Sequence, residues 1–502
     1  MRRPGFDRPY TPGWKIWLPL LAFFLVADLT FDTWFWRIPK LTGTNADYGY
    51  QFLIDALPLR SAPQQGTARV VAFGSSVAGS FDPLQVASLL HAQDSERAVE
   101  VHRLLLPAAH PFDFDLYFRD ARTPPADVVV VLFNLVDFLF SEGDRDINPT
   151  LRFVLPPFAN LRAKRGTLGI ADQLDLLVAG ASDMYRYRRP LRSSLQDHVR
   201  ALARWARRPA DAAVYGIHAD GYTARRFGLG TAADGSLRLR YHIEPDWLAQ
   251  RGAVVLTFFA DGVQIGERRR VEAGWDEIEL QRQGAGRIDV VIDGLWSPRA
   301  AGADDLRLLG VRLDPQLVPA GGAGAAAPFS RRPRQAADID TFLRMDGERD
   351  AAYLRRWDET LNADTRFGQR FRVYRDAKRA VRERAFRVDA EYAAVRALVQ
   401  RFAEQGSRVV LVNSPESPLS LREYGDSAYY ADYLRYFAEV AAETPGAEFV
   451  DFSTALPAED FNDLHHPNFV GTIKLGPRYA QIVAAALSRA PLANRAAVPA
   501  RP

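Results

Sequence analysis

The segment that most constrains this chain is Asp127 to Phe133 (DVVVVLF). A short, unbroken β-branched and apolar run of this kind is what a strand covered on both faces requires, and a parallel sheet packed between helices provides that cover. Ala68 to Phe73 (ARVVAF) and Arg408 to Val412 (RVVLV) repeat the pattern, and Glu448 to Phe452 (EFVDF) adds a further strand. Between and after them, Phe81 to Leu90, Asp376 to Gln405, Tyr429 to Glu443 and Ile473 to Ser488 carry helical periodicity, the second stopping at Gly406. Strands alternating with helices predict an α/β fold with a doubly wound parallel sheet.

The middle of the chain breaks that rhythm. From about Gly221 to Asp314 the helical period disappears and short alternating runs take over: Leu237 to Ile243, Val254 to Ala260 followed by the turn pair Asp261-Gly262, Glu277 to Leu280, Ile288 to Ile292 and Leu306 to Leu313. Short strands at close spacing predict an all-β sandwich, inserted into the α/β domain. Pro319 to Pro328 (PAGGAGAAAP) reads as a flexible linker. The resulting division is a leader at 1–14, a transmembrane anchor at 15–37, a first α/β segment at 38–147, a partly helical connection at 148–212, the β-sandwich at 213–315, the linker at 316–337, a second α/β segment at 338–490 and a tail at 491–502.

The anchor rests on Ile16 to Ala27, which has no charge, continued by apolar residues to Trp36 and interrupted only by Asp28 and Asp32. About 20 apolar residues span a bilayer. Arg2, Arg3, Arg8 and Lys15 precede the run, so the expected topology is single-pass in the cytoplasmic membrane, N-terminus inside, with the folded domains outside the cytoplasm. Trp14, Trp17, Trp34 and Trp36 fit interfacial belts, and Asp28 and Asp32, four apart, share a helix face.

Composition narrows the function classes. Of 502 residues, 47% are hydrophobic and 25% charged, which excludes a disordered or fibrous chain. Lys+Arg at 64 against Asp+Glu at 61 leaves a net charge of +3 with no block of one sign, so nucleic acid is not the expected partner. Cysteine is absent, which removes disulfides, thiolate metal sites and a cysteine nucleophile. No phosphate-binding loop or dinucleotide fingerprint occurs, and no cofactor is expected.

Three short segments can carry chemistry. Gly74-Ser75-Ser76 lies where a buried strand turns into a helix, so a serine there has its backbone N–H at a helix start; a turn with an N-cap accounts for the same residues. Near the other end, Asp463 and His466 in FNDLHHPNFVG are three apart, which places a carboxylate and an imidazole on one face of a turn, the pairing a serine nucleophile needs; a polar loop capping the last helix is the alternative. His465 beside His466 raises a metal site, but eight histidines, no cysteine and no further histidine nearby argue for none. Asn134 follows the Asp127–Phe133 strand, where its amide can donate to an oxyanion or simply make a turn. Each segment follows or adjoins a strand end, on the edge where α/β sheets bind ligands.

Taken together, Gly74-x-Ser76, Asn134 and Asp463-x-x-His466-x-Asn468-x-x-Gly471 resemble the blocks of the SGNH/GDSL hydrolase superfamily. The resemblance covers about 68–140 and 338–490. It implies Ser76 as nucleophile, His466 as base, Asp463 as its orienter and Asn134 as an oxyanion donor. The family's second block supplies a glycine amide; here LPAAHP places Ala108 or Ala109 there, so Ala108 is the implied second oxyanion donor without the glycine. Ser75 replaces the usual acid of Gly-Asp-Ser, and Asn134 lacks the usual flanking Gly and Asp.

With an N-terminal anchor and Gly-Ser-Ser, the chain further resembles the membrane-linked branch that O-acylates extracellular glycans, such as the alginate and cellulose O-acetylation and teichoic acid D-alanine transfer proteins. That resemblance implies a serine esterase or O-acyltransferase on a glycan or polysaccharide, with a multi-span membrane acyltransferase as partner. The strand-rich insert resembles carbohydrate-binding sandwiches, and Trp275 and Trp296 stack on sugars if exposed, or else pack in the core or at a sheet edge. The alternatives are a glycan deacetylase and a catalytically silent carbohydrate-binding or assembly protein of a polysaccharide pathway.

Overall fold

The computed structural model describes residues 14–31, 52–120, 126–139, 154–164, 168–192, 214–318 and 366–489, apart from one or two positions at a time inside those ranges. Its first three strands, β1 (Ala68–Gly74), β2 (Val99–Leu105) and β3 (Val128–Phe133), open the α/β domain. Eight strands of an inserted module follow: β4 (Tyr215–Ile217), β5 (Thr223–Gly230), β6 (Ser236–Ile243), β7 (Val254–Ala260), β8 (Val263–Arg270), β9 (Gly274–Gln281), β10 (Arg287–Ile292) and β11 (Arg312–Leu313). The chain then returns with β12 (Arg408–Asn413) and β13 (Ala447–Asp451).

β1, β2, β3, β12 and β13 form one five-stranded sheet in the order β2-β1-β3-β12-β13, all pairs parallel. The central strands are buried along their whole length apart from Arg408 at the start of β12, and the pleat sorts their side chains onto two faces. Phe73, Val129, Val131, Phe133 and Leu411 face a core shared with the helices Pro111–Asp120, Ala390–Glu404 and Ala428–Glu443. Val70, Ala72, Val130, Leu132 and Val412 face the other core, closed by the helices Pro83–Gln93 and Phe469–Arg489. Each such Val, Leu or Phe stabilises the fold by about 1.5–3 kcal/mol, which is why a two-faced apolar strand holds the centre of the sheet. The order reverses direction between β1 and β3, the position where open α/β sheets form a crevice beyond the carboxyl ends of their strands.

The module is a sandwich of two antiparallel sheets, β4-β5-β10-β7-β8 and β11-β6-β9. Their inward residues, among them Phe227, Leu239, Tyr241, Leu256, Phe258 and Val290, share one core. A helix inside the module, Pro245–Arg251, packs against Pro83–Gln93 and Phe469–Arg489 of the α/β domain. Gln85 donates to the carbonyls of Gln250 and Ile473, and Arg251 pairs with Asp82 at 2.9 Å. Gly252 ends the helix with φ +72, and a Cβ there would collide with the Ser88 backbone, so only glycine allows so close a junction. Asp82 also caps the helix that starts at Pro83, and Ser76 lies six residues before it. The sandwich is thus docked on the two helices that follow the Ser76 and His466 loops.

Several expectations need correction. The described N-terminal helix is Trp14–Leu29, 16 residues. No helix among the described residues is long and apolar enough to cross a membrane, so the spanning anchor at 15–37 is not supported. Trp34, Trp36 and Asp32 lie outside the described residues, as do the 319–328 linker, the leader and the tail. The Asp376–Gln405 helix is two helices, Arg366–Ala380 and Ala390–Glu404, because Asp389 starts the second by accepting the Glu391 and Tyr392 N–H groups. Of the Leu306–Leu313 strand, β11 retains two residues, and Leu309 makes an isolated bridge with Trp296. The sequence reading passed over β2, β8 and the helices Pro111–Asp120 and Pro245–Arg251. Glu100, His102 and Arg103 make β2 look polar, yet it pairs with β1 along its length.

Candidate active site

β1 ends at Gly74 because its backbone runs against β3: a Cβ on Gly74 would overlap the Leu132 carbonyl. Ser75 then leaves the strand and caps a short turn, Ser76–Ser80, held in place by Arg103, whose guanidinium donates to the carbonyls of Phe81 (2.9 Å) and Gly79 (3.4 Å). This turn sets Ser76 at the carboxyl edge of the sheet.

The other half of the site comes from the loop before the helix Phe469–Arg489. Asp463 Oδ1 accepts the backbone N–H groups of His465 (2.9 Å) and His466 (2.8 Å), which fixes the carboxylate in the turn. Its Oδ2 lies 2.6 Å from His466 Nδ1, and His466 Nε2 lies 2.7 Å from Ser76 Oγ. Ser76, His466 and Asp463 therefore form one continuous chain across 390 residues of sequence. A carboxylate at Nδ1 selects the tautomer whose Nε2 is an acceptor, the form that takes a hydroxyl proton. Burial alone would push the His466 pKa down; the charge and hydrogen bond of Asp463 outweigh it and the pKa is raised. Burial would likewise raise Asp463, but the two histidines and the hydrogen bonds hold it far below the usual carboxylate range.

Asn134 follows β3 and is fully buried. Its Oδ1 accepts from Val136 N–H at 3.1 Å, while Asp137 Oδ2 accepts the Asn134 N–H at 3.0 Å. This reciprocal pair is a capping box. It commits the oxygen of the amide and leaves Nδ2 with no hydrogen-bond partner among the described residues. A buried, unpaired donor costs about 1–3 kcal/mol, and an oxyanion formed in the crevice is a group that would satisfy it.

Ala108 has φ +58, the one positive value at a non-glycine residue among those described. Pro107 precedes it and Ala109 N–H donates to Leu106 O at 3.1 Å, so Leu106–Ala109 is a type II turn with Ala108 in the place that favours glycine. The loop is tied to β1 by Leu106 N–H to Gly74 O at 3.2 Å. The chain keeps the glycine conformation without the glycine; Ala109, the other candidate, spends its N–H on the turn.

Asp137 is the functional residue the sequence reading missed. Its carboxylate takes hydrogen bonds from Ser75 and from the Asn134 backbone, its own carbonyl meets His110 Nδ1 at 2.9 Å, and its charge acts on His466. It links the loops after β1, β2 and β3. Burial pushes its pKa up to about 6. The spacing Asn134-x-x-Asp137, a capping-box signature, was the available signal.

His465 is buried, its ring 4.1 Å from that of His466 and 5.5 Å from that of Tyr374. Asp463, His465 and His466 offer donor atoms within 4.8 Å of one another. A metal held through His466 Nδ1 would displace the Asp463–His466 hydrogen bond at 2.6 Å that the proton relay uses. Beneath the loop, Lys378 is fully buried and donates to Glu416 (2.8 Å) and Ser420 (2.6 Å), and Ser417 N–H donates to Leu464 O at 3.1 Å, which anchors the 463–466 turn. Of the module tryptophans, Trp247 and Trp296 are buried, whereas Trp275 is 44% exposed beside Arg240 and His242.

A protein-family model matches residues 44–488, so the chain belongs to that family across both segments of the α/β domain and the sandwich between them. An uncharacterized protein of Leptospira interrogans serogroup Icterohaemorrhagiae serovar Lai (strain 56601) is 24% identical over 93% of each chain. Among solved structures, the salicylyl-acyltransferase SsfX3 from a tetracycline biosynthetic pathway is 18% identical with a TM-score of 0.18, covering 52% of this chain and 82% of its own. A two-domain esterase active on acetylated mannans is 10% identical with a TM-score of 0.12, covering 54% and 95%.

Proposed function

We propose that this protein is a serine esterase or O-acyltransferase of the SGNH type, acting on an O-acylated glycan. The observation that carries the proposal is the Ser76–His466–Asp463 chain, at 2.7 and 2.6 Å, at the crevice edge of a doubly wound sheet. Ser76 Oγ attacks the acyl carbonyl carbon and its proton passes to His466 Nε2. The carbonyl oxygen becomes an oxyanion that takes hydrogen bonds from Asn134 Nδ2 and the Ala108 N–H. Collapse expels the first alkoxide, protonated by His466, and leaves an acyl-Ser76 ester. A sugar hydroxyl or water, deprotonated by the same imidazole, then takes the acyl group and restores Ser76.

The glycan assignment is supported by the module docked on the helices Pro83–Gln93 and Phe469–Arg489, with Trp275 and its Arg240 and His242 neighbours on its surface. Such polymers lie outside the cytoplasm, and we place the enzyme there, with a membrane acyltransferase as a candidate acyl donor. The test is labelling by a fluorophosphonate together with hydrolysis of a small aryl acetate. Wild type reacts at Ser76; Ser76→Ala and His466→Ala, though folded, do neither. An unreactive Ser76 in folded wild type would make the protein a silent glycan-binding or assembly component instead.

A further inference from the structure

We propose that the corner built by the helices Pro157–Lys164 and Ile170–Ala181 is a docking surface for an anionic lipid bilayer. In an ordinary surface helix the apolar stripe faces the core. Ile170–Ala181 is inverted: Ile170, Leu174, Leu177 and Val178, spaced to share one face, point outward, while Leu176 and Ala179 alone are buried. Ile170 is 78% exposed and Leu174 57%. The half-exposed Phe158 ring from the neighbouring helix lies against Gly180, where a Cβ would strike it, and extends the patch. Among the described residues nothing covers these side chains.

The N-terminal helix identifies the medium. Trp17, Leu18, Leu21, Phe23, Leu25 and Val26 are all around half exposed or more, on every side of the helix. A protein partner would need one apolar stripe; a helix apolar all round calls for an apolar medium. That helix is fastened to the same corner. Asp28 accepts from Ser182 Oγ at 3.0 Å and from Met184 N–H at 2.6 Å, directly after Ile170–Ala181 ends, and Phe31 stacks on Tyr187 at 5.2 Å. Whatever surrounds the N-terminal helix therefore reaches the patch beside it.

Charge selects the lipid. Residues 148–212 hold twelve Arg and Lys against five acids in a chain that is otherwise close to balanced, and Arg162, Lys164 and Arg165 stand in sequence between Phe158 and Ile170. Basic residues flanking an apolar helix face are attracted to anionic headgroups. The exposed apolar side chains of the N-terminal helix enter the bilayer, and Ile170–Ala181 lies in the interface. This gives the connection between β3 and the module a task independent of the chemistry at Ser76.

The absence of native cysteine makes the test direct. Full-length Leu174→Cys and Val263→Cys, the latter 67% exposed on β8 of the module, each carry one environment-sensitive fluorophore. They are mixed with phosphatidylcholine vesicles, with and without phosphatidylglycerol. The proposal expects the protein to float with vesicles, more tightly with phosphatidylglycerol and less so in high salt. It expects the Leu174→Cys probe to shift to the blue and lose most of its quenching by iodide, while the Val263→Cys probe is unchanged. The proposal is overturned if vesicle-bound protein leaves the Leu174→Cys probe as open to iodide as the control, or if neither vesicle is bound. A concentration-dependent blue shift without vesicles would also overturn it, since a second copy would then cover the patch.

Discussion

Asn134→Ser isolates one atom of the site. Serine caps a helix as well as asparagine does, so the bond to Val136 N–H and the return bond to Asp137 can persist while Nδ2 is removed. Loss of the cap altogether would cost about 1 kcal/mol; keeping it holds the thermal midpoint near wild type. Nδ2 is buried and unpaired in the resting protein, so its removal takes away no ground-state hydrogen bond. Its whole contribution falls in the transition state, when the oxyanion forms. Removing one such donor lowers kcat by about 10²–10³, which is about 2.7–4 kcal/mol, with KM little changed because the donor does not grip the ground state. The assay is aryl acetate hydrolysis under saturating substrate, paired with thermal unfolding of the same preparations. A kcat within about threefold of wild type would refute the oxyanion role, given the size of the effect a lost donor has elsewhere. A fall in activity matched by a comparable loss of stability would show that Asn134 serves the cap alone.

His466 must be neutral to take the Ser76 proton, and its pKa is raised; kcat/KM is therefore expected to climb with pH through a limb above the ordinary histidine value of about 6.5. Asp463→Asn removes the charge that raises it, so the limb moves to lower pH while the plateau falls by about 10⁴ through the wrong tautomer; an unmoved limb in a pH–rate profile would contradict the assignment. Asp137→Asn removes a second negative charge acting on His466 and should also move the limb down, by less, with most of the plateau retained. At Ala108, glycine is expected to leave kcat intact without lowering the thermal midpoint, because its left-handed φ costs an L-residue roughly 1–2 kcal/mol that glycine does not incur. Ala108→Val should lower stability and activity together.

The strands were legible because their physics is local. A run such as Asp127–Phe133 is apolar on both faces, and only a sheet covered on both sides accommodates it. The alternation in Leu237–Ile243 likewise fixed which face of β6 meets the module core. Asp463 and His466 were legible as a pair because three residues bring them into one turn. Ser76 and Asn134 were legible as candidates only, since a turn explains either one equally well. Tertiary structure decided what no spacing carries. It brought Ser76 to His466 across 390 positions, and it turned the amide of Asn134 by filling its oxygen from Val136. It also made Asp137 the tie between three loops and put Ala108 in a glycine conformation. β2 and the helix Pro245–Arg251 stayed hidden because their polar residues find partners only in the folded chain: Arg103 in the carbonyls of the Ser76 turn, Arg251 in Asp82. The N-terminal apolar run went the other way. Hydropathy alone reads Asp28 as an interruption in an anchor, whereas the fold makes it the hydrogen-bonded link to the helical corner behind it.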